Sequence, residues 1–161
     1  MPETVSGVPV HPLVVHAVVV LIPLAAVGVI LIAAFPRWRP AIGFTVLAVT
    51  AVGTALVPIA MMSGNNLADS VGKAPLLTRH QELGNSLWYV AVPLLLVSLL
   101  LWWLGRRERS EQRLSTTASV AVGFLGVIVA AAAIVQVARV GHSGAEAVWS
   151  GVLTSGSGLV G

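Results

Sequence analysis

The feature that most constrains this chain is a run of 23 residues, Leu13 to Phe35, that carries no formal charge. As a helix rising 1.5 Å per residue it spans roughly 34 Å, slightly more than the ~30 Å hydrocarbon core of a bilayer. Three later segments have comparable length and apolarity, and the predicted spans are about 13–35, 41–62, 84–104 and 116–140. Pro36 closes the first and Pro40 opens the second. The apolar core of the third runs from Leu87 to Leu104, with a helical start near Pro75 allowed because Pro is tolerated in a first turn. Only 9% of the 161 residues are charged, against roughly 25% in soluble domains, so the chain cannot cover itself with a soluble surface. Four spans on short connections predict an all-α integral membrane protein, a single transmembrane domain built as an up-down four-helix bundle in the lipid bilayer. The N-terminal ten residues hold one acid, Glu3, and no basic residue, and the apolar run after them is too long for a signal-peptide core. The first helix is expected to be retained. Residues 150–161, rich in Gly and Ser, are expected to form a mobile tail.

The basic residues predict an orientation. Arg37 and Arg39 join spans one and two, and Arg106, Arg107, Arg109 and Arg113 join spans three and four, so six of the nine Lys and Arg residues share one side. The other side holds Lys73, Arg79 and Arg139. The positive-inside rule then places both termini outside the cytoplasm, N-out and C-out, in a multi-pass plasma-membrane protein. Trp38, Trp102 and Trp103 would mark the inner interface, and Trp88, Tyr89 and Trp149 the outer one. Arginines placed by the insertion rule are not a nucleic-acid patch, and no nucleic-acid partner is expected.

The four histidines all fall at the outer end. His11 and His16 open span one, His80 precedes span three and His142 follows span four. Ionisable groups at the mouth of membrane helices call for a reason, and helix axes in a small bundle lie only about 8–10 Å apart, close enough to share one site. His11 and His16 are five positions apart, about 140° around an ideal helix, so a single small ion held by both is disfavoured. Separate roles follow, with His16 the first choice for a ligand, His80 or His142 as its partner, and His11 at the mouth. With no cysteine in the chain, thiolate sites, iron–sulfur clusters and covalent haem attachment are excluded. The chemistry expected for the imidazoles is haem b held between two helices, moving electrons between a membrane donor and an extracytoplasmic acceptor; the alternative is a copper or zinc site that recruits a carboxylate such as Asp69, Glu82 or Glu146. Met61 and Met62 suit copper(I). Arg139 could pair a haem propionate or simply snorkel to the headgroups, and the histidines themselves could do no more than meet the interface.

Other residues speak to packing. Ser119, Gly123, Gly126, Ala130 and Ala133 form a small-residue stripe on span four, as Gly43, Thr50, Gly53 and Thr54 do on span two. Pro23, Pro58 and Pro93 lie inside three spans and should bend them. Ser63-Gly64-Asn65-Asn66 has the composition of a turn. The stripes are compatible with a homodimer. No P-loop, G-x-S-x-G elbow or H-E-x-x-H pair is present, and the expectation is an electron carrier or accessory subunit.

The opening H-P-L-V-V-H from His11 to His16, His80 ahead of the third span, and Gly141-His142 after the fourth resemble the bacterial domain-of-unknown-function 2231 family over about residues 8–150. That family usually continues H-P-x-x-V-H with Phe-Pro, whereas Ala17 and Val18 follow His16 here and the proline is displaced to Pro23. The resemblance implies a four-span fold with no settled activity. Some relatives are fused to Rieske or cytochrome domains, which implies redox work and a redox partner protein.

Overall fold

The computed structural model describes the backbone of residues 4–5, 8–71, 75–110 and 115–156, and the side chains of 11–68, 75–110 and 115–149. A two-residue antiparallel pairing of Thr4–Val5 with Val8–Pro9 precedes the first helix. The remaining elements are helical: α1 (Val10–Ala34), a 3-10 turn (Pro36–Trp38), α2 (Arg39–Val71), α3 (Pro75–Ser86), α4 (Trp88–Arg109) and α5 (Thr116–Gly156). Four stretches within them, His11–Ala34, Pro36–Ala68, Pro75–Arg109 and Thr116–Trp149, are long and apolar enough to cross a membrane.

In the packing, α1 lies against α2 and α5, and α4 closes the set by packing on the same two helices. Ile22, Ala26, Val29 and Ile32 of α1, Leu94 and Leu101 of α4, and Ala130 and Ala133 of α5 are fully buried between them. The small-residue stripe of α5 does what its composition suggests. A Cβ on Gly126 would lie 3.3–3.5 Å from Leu101, Val97 and Val29, and one on Gly123 would lie 3.3 Å from the Ala33 carbonyl oxygen. Close backbone approach of this kind is how membrane helices gain packing contact where lipid offers no hydrophobic drive. The outward faces stay apolar, with Leu24, Phe44, Val120 and Phe124 exposed, as suits contact with lipid.

Two ends result. Arg39, at the start of α2, donates from Nε to the Ile32 carbonyl (2.9 Å) and from Nη1 to Ser119 Oγ (2.7 Å) and Glu108 Oε1 (3.2 Å). This gathers the end of α1, the start of α2, the end of α4 and the start of α5 at an arginine end. The opposite, histidine end gathers the start of α1, the end of α2, α3 and the later turns of α5.

Three element boundaries differ from the sequence expectation. Ser63-Gly64-Asn65-Asn66 is helical, and α2 runs on to Val71, because tertiary contacts outweigh turn propensity there: Ser63 meets His11, and Gln81 Nε2 donates to Asn65 Oδ1 (2.8 Å). Span three is a bent pair, α3 and α4, whose junction tightens to i→i−3 bonds: Leu87 N–H donates to Gly84 O (3.1 Å) and Val90 N–H to Leu87 O (3.2 Å). The Leu83 carbonyl released by this bend accepts from Ser86 Oγ (2.8 Å) and from Gln136 Nε2 of α5 (3.0 Å), the re-satisfaction that lets a membrane helix break. Finally, α5 passes through Gly141 and Gly144 and continues to Gly156. Its 41 residues measure roughly 60 Å, about twice the hydrocarbon core, and α3 packs against it. The tail expected over 150–161 is therefore helical to Gly156, and 157–161 lie outside the described residues.

Candidate functional site

α1 is apolar on every side, and its phase is set by Val18, Ile22, Ala25, Val29 and Ile32 turning inward. His11 lies seven residues before Val18 and eleven before Ile22, on the same face. Its ring therefore turns toward α2, where Nδ1 lies 3.1 Å from Ser63 Oγ. The ring lies over Gly64 so closely that a Cβ there would come 2.8 Å from His11 Cε1.

His80 on α3 repeats the arrangement against α5. Its Nδ1 lies 3.0 Å from Ser143 Oγ, and a Cβ on Gly144 would come 3.1 Å from its Cε1. Each histidine thus rests on a Ser-Gly pair of a neighbouring helix. The serine supplies the hydrogen bond and the glycine supplies the room.

The serines also decide the tautomer. Ser63 Oγ lies 3.0 Å from the Ala60 carbonyl, and Ser143 Oγ lies 2.9 Å from the Val140 carbonyl. A hydroxyl has one proton. With that proton donated back to its own helix, each serine oxygen accepts from the imidazole, so the network assigns the ring proton to Nδ1 in both histidines. Each Nε2 is left with a lone pair, no partner among the described residues, and no sealed burial.

The two imidazoles line one cavity of about 120 Å³, together with Met61 and the apolar side chains of Val57, Leu87 and Val137. Asn65, Gln81 and Asn85 add polar groups to a wall that is otherwise almost entirely apolar.

The other sequence candidates lie elsewhere. His16 is exposed on the far side of α1, with Nδ1 2.6 Å from the carbonyl of Pro12 in its own helix. His142 is exposed and pairs with Glu146 one turn on (3.3 Å), and Glu146 also meets Arg79 (3.5 Å). Arg139, Glu82 and Met62 are exposed, and the Asp69 side chain lies outside the described residues. Among the described residues, no three His, Asp or Glu side chains come together as a metal-binding group. The serines and glycines of the two cradles are what the sequence did not single out. Ser-Gly also occurs at 6–7, 150–151, 155–156 and 157–158, so the dipeptide alone does not mark a site.

A family model described as "Predicted membrane protein (DUF2231)" matches residues 7–156. The chain belongs to the DUF2231 family. The match takes in all four candidate spans and both histidine cradles, so His11, Ser63, His80 and Ser143 all lie within the DUF2231 region. Comparison with curated proteins and with solved structures finds no match. DUF2231 membership therefore supplies a multi-pass membrane protein, and the chemistry has to be read from the cavity.

Proposed function

We propose that this protein handles copper(I) at the histidine end, with the ion held by Nε2 of His11, Nε2 of His80 and the thioether of Met61. One observation carries the reading: two imidazoles and a thioether side chain line the same small, largely apolar cavity, and a ring proton on Nδ1, facing the serine oxygen, would leave each Nε2 unprotonated. Imidazole and thioether are donors that suit copper(I), and Nδ1–H held by an oxygen is the usual outer support of a ligating histidine. Zinc fits less well, because its usual donors are Cys, His, Asp and Glu, three or four to a site, and only the two imidazoles here are of that kind. In the reading we favour, the molecule is an up-down bundle in the plasma membrane with both termini outside, so the cavity opens to the extracytoplasmic side.

A second reading, haem b for electron transfer between a membrane donor and an outer acceptor, is favoured by the donor count. Two neutral imidazoles from separate helices are an axial pair for haem iron, and such a pair closes both axial positions. The volume argues the other way. Sites for drug-sized ligands run to about 300–1,000 Å³, whereas this cavity is about 120 Å³, room for an ion and not for a macrocycle unless the helix ends part.

Purified protein loaded with copper(I), and separately expressed with ample haem precursor, tests both readings. Copper near one per chain with no Soret band supports the first. A Soret band with sharp reduced α and β bands, lost in both His11→Ala and His80→Ala, transfers the site to haem. Retention of neither leaves a structural membrane subunit and defeats both.

A further inference from the structure

The arginine end carries a second feature that the metal site does not use. Each described aromatic–arginine pair there holds a guanidinium over a ring: Arg37 over Phe35 (5.7 Å), Arg106 over Trp102 (5.3 Å) and Arg107 over Trp103 (4.1 Å). Stacking of this kind fixes the guanidinium plane and leaves its N–H edges free to meet an anion. Between the first turns of α2 and the last turns of α4 lies a groove of about 520 Å³ lined by Arg39, Phe44, Trp102, Arg106, Arg109 and Ser110.

The three arginines of this groove differ in their commitments. Arg39 is buried, and its donors are taken by Ile32, Glu108 and Ser119. Arg106 and Arg109 are exposed and make no ion pair among the described residues. No described acidic residue lines the groove. Beside the arginines, Phe44 is 66% exposed and its ring lies 6.3 Å from Trp102, centroid to centroid. Two uncommitted guanidinium groups at the rim and an exposed aromatic wall leading toward the bilayer match an amphiphile with an anionic head.

We infer that this groove is a binding site for an anionic phospholipid, with the phosphate held by Arg106 and Arg109 and an acyl chain laid along Phe44 and Trp102. Basic pockets between membrane helices recognise such headgroups by charge and by bidentate N–H donation, and the volume is of the size that holds a headgroup. Simple charge bias for insertion would place arginines at this end but would not discriminate between lipids of different headgroup charge.

The test uses the full chain purified in detergent, with thermal unfolding followed on addition of phosphatidylglycerol, of phosphatidylcholine with the same acyl chains, or of inorganic phosphate. The expected result is a rise in Tm of about 3 °C or more with phosphatidylglycerol alone. That rise should vanish in the Arg106→Gln/Arg109→Gln variant and persist in Arg37→Gln/Arg107→Gln, which also removes two charges from this end. An equal rise with phosphatidylcholine overturns the proposal, as does a rise that survives in the first variant. A rise produced by inorganic phosphate would assign the groove to the free anion and overturn the lipid as its source. Should the first variant unfold during purification, native mass spectrometry of the unaltered chain, in which phosphatidylglycerol is retained over phosphatidylcholine or is not, decides the same question.

Discussion

An imidazole ligates a metal only through a nitrogen that carries no proton, so the serine beneath each ring matters as much as the ring. In the proposed site, Ser63 and Ser143 would hold the proton on Nδ1 and leave Nε2 unprotonated. Ser63→Ala and Ser143→Ala are each expected to weaken copper(I) binding about 10- to 100-fold, with Ser→Thr at the same positions restoring much of the loss, as read by competition with a chromophoric chelator. Gly64→Ala should disturb the site more than Gly144→Ala, since the new Cβ would come 2.8 Å from the His11 ring in the first case and 3.1 Å from the His80 ring in the second. Much of this was legible in the sequence. All four histidines fall at one end, and the five-residue spacing of His11 and His16 separates them onto different faces. Which of the two turns inward was not legible, because every face of α1 is apolar and the sequence contains no contrast from which to read its phase. Packing sets that phase through Val18, Ile22 and Val29, and it directs His11 to the cavity while His16 lies with exposed Val20 and Leu24.

Among the elements, the spans were readable from length and apolarity, and the break between α3 and α4 was foreshadowed by the start of the apolar core of span three at Leu87. The structure places the break at Leu87, where Gln136 of α5 takes up the released Leu83 carbonyl. Arg39, which the sequence marks as one of six topogenic arginines, is instead a buried clamp joining four helices. A charged group so placed depends on its partner, and breaking a buried pair costs about 3–5 kcal/mol. Glu108 is partly exposed, so Glu108→Ala is expected near the low end, about 3 kcal/mol, measured as the loss in unfolding free energy in detergent. Glycines in the helices should divide by their surroundings. A Cβ on Gly105 would meet the Arg39 backbone at 2.8 Å, which cannot give way, whereas nothing lies within 4 Å of one on Gly141. Gly105→Ala should therefore destabilise by about 1–3 kcal/mol, and Gly141→Ala should be neutral or stabilise by up to about 1 kcal/mol, in the same unfolding assay.

For the molecule as a whole, four helices gather their ends so that imidazoles concentrate at one pole and guanidinium groups at the other. The charge asymmetry predicts that the arginine pole faces the cytoplasm. Because the chain has no cysteine, single replacements report this directly: in intact cells a membrane-impermeant maleimide should label Ala145→Cys and spare Ser110→Cys until the membrane is opened. The reverse pattern would invert the protein and place the metal cavity inside. In the proposed assignment, His11 and His80, from α1 and α3, share one metal site to which His16 and His142 do not contribute. The most direct test is a copper(I) titration of the purified protein against a chromophoric chelator for the four single His→Ala variants beside the unaltered chain. One ion per chain is expected, lost with His11→Ala and with His80→Ala and kept with His16→Ala and His142→Ala. Copper retained without His11, or lost on removal of His16, would contradict it.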